Sequence, residues 1–408
     1  MIRLALLLLA FATTALAETR AETARRFADW RDTTLWPLAE AEGISAETFR
    51  AAFDGVTLDY DIPGLVLPGT DTTPQGVPRQ AEFRSPARYF REGATEGTAA
   101  VGRRYARAHA AALARATETT GVPGHILLAI WGRESGFGQV DIPHDAIEIL
   151  ATRAFFAREP RYLTSELIAA LKIVDSGLAA PRALRSSWAG ALGQPQFMPR
   201  SYLAYAADGN SDGAIDIWSS EADTIASIAS FLAQHGWVPG RDWGFEVAVP
   251  ASVSCTLEGP DRTRTIAEWE KLGIARVSGR PFPDAEVQQT ASLLMPAGRG
   301  GPAFLVTPNF YAIKSYNRSD LYALFIGHVG DRIAYGVGPF RGAWEDPEAL
   351  TRGDVATIQT ALTAQGLDTG GADGLAGVRT RRSIGEWQER TGRAATCWPD
   401  RAIAAALE

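Results

Sequence analysis

In the stretch ILLAIWGRESGFGQ, Glu134 follows seven uncharged residues, Ile126 to Gly132, with Arg133 between, and precedes the turn Ser135-Gly136-Phe137-Gly138. A carboxyl that leaves an apolar helix at a glycine-bearing bend is drawn out of water where a ligand can reach the backbone. Burial raises a carboxyl pKa, the property a general acid needs near neutral pH. The competing reading is an ordinary ion pair with Arg133 at a solvated helix end. Two further stretches carry groups suited to a hydroxyl-rich ligand. SSWAGALGQPQFMPRSYLAYA, 186–206, places Gln194 and Gln196 among small residues, and NFYAIKSYNRSDLYAL, 309–324, adds Asn309, Tyr316, Asn317 and Tyr322. Sugars are held by flat apolar faces combined with directional hydroxyl and amide hydrogen bonds. Pro195 lies between the two glutamines, where its rigid φ fixes one amide relative to the other.

A third pattern is Asp208-x-Asn210-x-Asp212-Gly213-x-x-Asp216. It has oxygen donors at positions 1, 3, 5 and 9, glycine at 6 and the Ala214 carbonyl at 7, the spacing of a calcium loop. Position 12 is Ser219, so a closing carboxylate has to come from Glu221 or Asp223. The same residues also suit an Asx-rich turn leading into a helix that starts near 220. Calcium, if bound, is a structural ion in this reading, and no other cofactor is required.

These groups need a scaffold, and the pattern around them is mainly helical. Helical stretches are predicted within 18–53 and over 97–118, 122–133, 144–157, 163–175, 221–235 and 319–334. Short β-like runs at 245–250, 275–280, 291–297 and 303–307 predict a small β-containing lobe. Pro and Gly from 63 to 78 predict a loop, and another cluster marks a linker at 341–349. The remaining 350–408 is predicted to be a small helical module with Val355, Ile358, Leu362, Leu367, Ile384 and Trp387 as its core. Residues 1–17, MIRLALLLLAFATTALA, read as an export signal ending in Ala15-Leu16-Ala17. Its apolar segment is about half of what a spanning helix requires, so no stable membrane anchor is expected. The 408 residues carry 40 basic and 47 acidic side chains, a balance that offers no cationic field for nucleic acid. In an oxidising compartment, Cys255 and Cys397 have one possible intramolecular disulfide; buried reduced thiols and an intermolecular bond are the alternatives.

AIWGRESGFG (129–138), SSWAGALGQPQFMPRSY (186–202), DGNSDGAIDIW (208–218) and NFYAIKSYNRSDLYAL (309–324) occur in this order. Together they resemble the soluble relatives of membrane-bound lytic murein transglycosylase B, and the likeness covers nearly all of 18–408. What this implies is a mainly α (α+β) fold: a lysozyme-like catalytic core with helical extensions and a small β-containing lobe over 18–340. The catalytic acid falls on Glu134, and substrate contacts fall on Ser187, Gln196, Tyr316 and Asn317. The family's longer loop puts the calcium set on Asp208, Asn210, Asp212, Ala214, Asp216 and Asp223. The segment at 138–155 is less apolar at its start than in the family, so glycan contacts around Asp141 to Asp145 are expected to differ. Residues 350–388 separately resemble the three-helix peptidoglycan-binding module through Gly371-x-Asp373-Gly374-x-x-Gly377-x-x-Thr380; a packing appendage that no longer binds wall is the bland alternative.

The implied activity is periplasmic cleavage of the bond between N-acetylmuramic acid and N-acetylglucosamine, with formation of 1,6-anhydromuramoyl ends. The expected partners are peptidoglycan glycan strands, with envelope machinery as a further class. Hydrolysis ordinarily uses two carboxylates, and no partner for Glu134 is announced by the motifs. A lysozyme-like hydrolase and a non-catalytic wall-binding protein are the alternatives.

Overall fold

The computed structural model describes residues 19–67, 86–345 and 350–407. The export segment 1–17, most of the predicted 63–78 loop and residues 346–349 of the predicted linker lie outside them. Two compact units divide the chain: residues up to Gln75 with Pro143–Ala191, and Gly76–Ile142 with Leu192 onward. α1 (Arg20–Trp30), α2 (Trp36–Ala41) and α3 (Ala46–Phe53) belong to the first unit. The chain then builds α4 (Glu92–Ala108), α5 (Ala110–Thr120) and α6 (Gly124–Ser135) in the second. It returns to the first for β1 (His144–Asp145), α7 (Ala146–Phe156), α8 (Arg161–Asp175) and β2 (Arg185–Ser186).

In the first unit α8 packs on α7 and α3, and β1 pairs antiparallel with β2, His144 opposite Ser186. Asp145 starts α7 by accepting the Glu148 N–H at 3.1 Å, satisfying one of the donors that a helix start leaves open. Phe27, Trp30 and Phe155 form an aromatic cluster whose edge-to-face contacts seat α1 on α7.

From residue 192 the second unit adds α9 (Pro199–Tyr205) and α10 (Glu221–Gln234), then a lobe containing β3 (Gly244–Ala248), β4 (Arg264–Thr265), α11 (Ile266–Lys271), β5 (Ala275–Arg276), α12 (Asp284–Val287), β6 (Thr290–Leu294), β7 (Pro296–Arg299) and β8 (Ala303–Val306). Its sheet is antiparallel in the order β4-β6-β8-β3-β5, with Phe245 and Leu293 both registered on Leu305. Leu293, Leu305, Ile266 and Trp269 are completely buried in the core of this lobe. α13 (Pro308–Asn317) and α14 (Asp320–Tyr335) follow, and α14 packs on α6 and α4.

α6 explains the apolar run in the sequence: Ile126 to Trp131 are all buried. Each large aliphatic side chain so buried contributes about 1.5–3 kcal/mol. Gly132 is required by close approach, since a Cβ there would stand 2.6 Å from the Phe137 ring. The predicted 97–118 helix is in fact two, α4 and α5, broken at His109, where φ is −111° and the helical backbone is interrupted. α13 falls in the 309–324 stretch for which no helix is predicted before 319.

The final residues form α15 (Arg352–Ala364), α16 (Val378–Arg390) and α17 (Arg401–Leu407) around Ile358, Leu362, Leu367, Ile384, Trp387 and Ile403. This three-helix module is fastened to the β lobe within the second unit. Cys255 and Cys397 are joined by a disulfide, and Arg381 meets Glu258 at 2.5 Å in a buried ion pair. The single intramolecular bridge left open by the sequence is therefore the one formed. No helix among the described residues is long and apolar enough to cross a membrane.

Candidate active site

Glu134 lies in the last turn of α6, which stops at Gly136 because that residue takes a left-handed φ of +58°. The chain then turns sharply: Phe137 and Gly138 also have positive φ, at +62° and +77°. Gly138 admits no side chain, because a Cβ would lie 2.5 Å from Oε1 of Gln194. The tight bend thus keeps the end of α6 against the glutamine turn.

Burial pushes the Glu134 carboxyl up to about 7 against the opposing pull of the Tyr322 hydrogen bond and the Arg133 charge. Tyr322, buried in the first turn of α14, donates its hydroxyl to Oε1 of Glu134 at 2.5 Å. Arg133 does not form the ion pair expected of a solvated helix end. Its guanidinium donates to the Tyr89 hydroxyl at 2.9 Å and lies over the Tyr89 and Phe325 rings. Arg133 is also the only charged side chain that perturbs Glu134 among the described residues. The other acids near it in sequence are placed differently: Asp141 is exposed, while Asp145 and Glu148 belong to the first unit, where they engage the start of α7 and Thr57.

Tyr316 stacks on Tyr322 with ring centroids 6.3 Å apart, and its hydroxyl donates to the Pro195 carbonyl at 2.7 Å. This bond ties the last turn of α13 to the Gln194-Pro195-Gln196 turn. Burial raises the Tyr316 and Tyr322 phenols well above their ordinary value, so both remain protonated donors. Gln196 has a left-handed φ of +53° and donates its amide to the Gly193 carbonyl at 2.9 Å. Gln194 is a brace: Oε1 accepts from Trp131 at 2.8 Å and Nε2 donates to the Trp218 carbonyl at 3.0 Å. Asn317 is exposed at the end of α13.

The second unit therefore brings Glu134, Gln196, Tyr316 and Asn317 into one body, together with Tyr322. Ser187 belongs to the first unit, where its Oγ accepts the Ala191 N–H at 3.3 Å beside the half-exposed Trp188. Sequence reasoning gave Tyr322 no role at Glu134. Its place just inside the Ser319-capped helix start was visible, but its partner is 188 residues away. Asn309 is not a ligand group: it is fully buried, and its amide bridges Val238 and Arg241 backbone atoms.

The 208–216 loop is organised by its own hydrogen bonds. Asp208 accepts from Ser211 and Gly213 N–H, and Asp212 from Ala214 N–H and the Asn210 amide. Asp216 accepts from Trp218 and Ser219 N–H. Asp223 is buried, with one oxygen on Gly209 N–H and the other on Asp216 N–H, both at 2.8 Å. No group of three or more His, Cys, Asp or Glu side chains among the described residues is assembled to hold a metal ion. The Asx-turn arrangement is thus present in the loop, while the expected calcium donors do not form a preassembled cage.

With this geometry in place, comparison with known proteins supplies the family. The transglycosylase SLT domain matches residues 26–331, and the putative peptidoglycan binding domain matches 351–407. The chain belongs to the transglycosylase SLT family. Membrane-bound lytic murein transglycosylase B of Escherichia coli K12 is 34% identical over 224 residues, 55% of this chain; the match spans 60% of that relative's length. Among solved structures, SltB3 from Pseudomonas aeruginosa in complex with NAG-NAM-pentapeptide superposes with a TM-score of 0.83 at 36% identity, covering 94% of this chain and 99% of that one. The Escherichia coli lytic transglycosylase Slt35 in complex with calcium gives 0.53 at 30% identity, covering 63% and 79%. In this transglycosylase the helical core, β lobe and three-helix module are the expected mainly α (α+β) architecture.

Proposed function

We propose that this chain is a periplasmic lytic transglycosylase that cleaves peptidoglycan between N-acetylmuramic acid and N-acetylglucosamine. The observation that carries the reading is Glu134: a carboxyl raised to about 7, oriented by Tyr322 and without a perturbing carboxylate neighbour among the described residues. Protonated Glu134 donates to the glycosidic oxygen as the C1–O bond breaks. The resulting carboxylate then takes the proton of the muramoyl C6 hydroxyl as that oxygen closes on C1. One group serves as acid and then as base, so a second carboxylate is not needed to activate water. The nucleophile is part of the substrate, and its effective concentration is high once the ring is held correctly. Ser187, Gln196, Tyr316 and Asn317 position the saccharide. Tyr322 orients Glu134.

Residues 18–340 form the catalytic part, 341–349 the linker and 350–408 the wall-binding module, with 1–17 removed on export. The match to a peptidoglycan-binding domain and the β-lobe disulfide both support a place outside the cytoplasm. Calcium is a structural ion in this reading, with Asp208, Asn210, Asp212, the Ala214 carbonyl, Asp216 and Asp223 as its donor set. The all-oxygen donor set and the φ of +88° at Gly213 fit such an ion. The reaction uses the carboxyl chemistry above. Mass spectrometry of muropeptides released from purified sacculi tests the reaction: 1,6-anhydromuramoyl ends are expected, and reducing ends alone would identify a hydrolase instead.

A further inference from the structure

Near its start α14 brings Tyr322 to Glu134, and Asp331 stands nine residues on, about 13.5 Å along the helix and on its opposite side. There Asp331 faces a pocket of about 460 Å³, bounded by β3, by β5 with the turn after it, and by the chain that leaves α14. We propose that this pocket is a binding site, separate from the Glu134 cluster, for a small organic anion: a carboxylate carried on a body about the size of one sugar ring. The inference does not rest on the peptidoglycan reading, since none of the groups assigned to cleavage lines this pocket.

Charge selects the anion. Arg276, Arg280 and Arg341 line the pocket, and none has an ion-pair partner among the described residues. Arg276 donates to the Pro281 carbonyl at 3.0 Å and lies over the Phe245 ring, Arg341 donates to the Val277 carbonyl at 3.0 Å, and Arg280 is exposed. Two carboxyls share the lining. Glu246 gives both oxygens to backbone N–H groups, Gly342 at 2.7 Å and Arg341 at 3.1 Å. Burial lifts the Asp331 carboxyl to about 7 against the pull of the Trp243 N–H and of Arg276, with Asp242 adding to the rise. Asp242 is itself raised by burial and by Glu286. His328, held down to about 3 by burial, stays neutral, and burial keeps the neighbouring Tyr335 phenol protonated. Below pH 7 the pocket therefore sets three cations against one carboxylate, with Asp331 as a neutral O–H donor.

Guanidinium groups with free N–H donors take carboxylates through paired hydrogen bonds. The volume is larger than a bare ion fills. Val337, Pro339 and Phe340 add apolar surface and Ser278 a hydroxyl, which suits a ring bearing both C–H faces and hydroxyls. The wall is also preformed: Phe340 packs on His328 and Phe304, with ring centroids 4.0 and 4.9 Å apart, so a ligand need not order the chain after α14. An anion held here is repelled once Asp331 ionises. Affinity should follow the protonated fraction of Asp331 and fall about tenfold between pH 6 and pH 8.

The test follows the Trp243 indole N–H of the full chain by NMR, because that group donates to Asp331 inside this pocket; Trp243→Phe assigns the resonance. N-acetylmuramic acid, a sugar ring bearing a carboxylate, is the probe. N-acetylglucosamine, the same ring without the carboxylate, and inorganic phosphate are the controls. At pH 6 the probe should give a saturable shift, and each control should bind at least about tenfold more weakly. Arg280→Gln should weaken the probe about fivefold or more, while the melting midpoint is retained and cleavage of glycan strands stripped of peptide stays within about twofold. In Asp331→Asn the probe should bind equally at pH 6 and pH 8. No shift, an equal shift with N-acetylglucosamine, or phosphate binding as tightly as the probe, an adventitious ion only, overturns the site. Unchanged affinity in Arg280→Gln, or a pH dependence that survives Asp331→Asn, overturns its assignment to these groups. The readout is binding, so a protein that cleaves no glycan would defeat the transglycosylase reading and leave this test intact.

Discussion

Glu134 keeps its proton up to about pH 7 because its surroundings make charge costly, and Tyr322 limits that cost by donating to the carboxylate. Two residue-scale outcomes follow. Glu134→Gln keeps size and hydrogen bonding but removes the proton, so cleavage should fall at least about 100-fold with the melting midpoint retained; turnover above about 10% of wild type would contradict the assignment. Because the acid must start protonated, kcat/KM should decline as pH rises above about 7. Tyr322→Phe removes the bond that favours the charged form, so Glu134 should titrate higher. The alkaline limb of the pH–rate profile should then move to higher pH while activity persists below it. A limb that stays in place, or moves down, would show that Tyr322 does not act through Glu134.

At the scale of elements, α14 carries buried Tyr322 near its start and half-buried Asp331 in its fourth turn. Asp331 receives the Trp243 indole N–H at 3.2 Å, and burial lifts its carboxyl to about 7 from an ordinary 3.8. Below that ordinary value both folded and unfolded states bind the proton. As pH rises toward 7 the unfolded chain releases it first, so stability is lost through this window. Asp331→Asn accepts the same indole bond without titrating. Its stability advantage over wild type should grow between pH 4 and pH 8, by on the order of 2 kcal/mol after allowance for partial solvent access. Urea denaturation at the two pH values measures this, and a pH-independent difference would refute it. The 208–216 loop gives a second element-scale test. Millimolar calcium should raise the melting midpoint of chelator-treated protein, magnesium should do so much less, and Asp212→Ala should abolish the rise.

These elements also show what the sequence could and could not disclose. The α6 run, the lobe strands other than β4 and the helical character of the final module were legible because local pattern and burial agree there, while its count of three helices came from the family resemblance. α13 was not, since its buried polar Asn309 and mixed faces blur the helical period. His109 divides a stretch of uniformly helical composition. Glu134 stood out through its dry helix and glycine bend, whereas Tyr322 and the bracing of Gln194 depend on partners far away in the chain. The strand order β4-β6-β8-β3-β5 is likewise non-local.

For the whole molecule, the Cys255–Cys397 bridge decides how firmly the module belongs to the second unit. The module core contains six buried apolar residues, little for an independent domain. Its remaining attachment includes Arg381 on Glu258 and Arg382 on Asp261, and the bridge passes so close to α16 that a Cβ on Gly385 would lie 2.3 Å from Cys397 Sγ. Cross-linking residues 142 apart lowers the entropy of the unfolded chain, an effect of about 5 kcal/mol as an upper value. Native strain and residual unfolded structure reduce it, so Cys255→Ala with Cys397→Ala should cost on the order of 2–4 kcal/mol. The loss should be local. Amide exchange in α15 to α17 should accelerate while α6 and α14 retain their protection, since those helices are packed in the catalytic core. Because Tyr322 and Glu134 lie on those two helices, cleavage of stripped glycan should persist in the double variant. Unchanged exchange in the module helices would show that the ion pairs alone are sufficient to hold it.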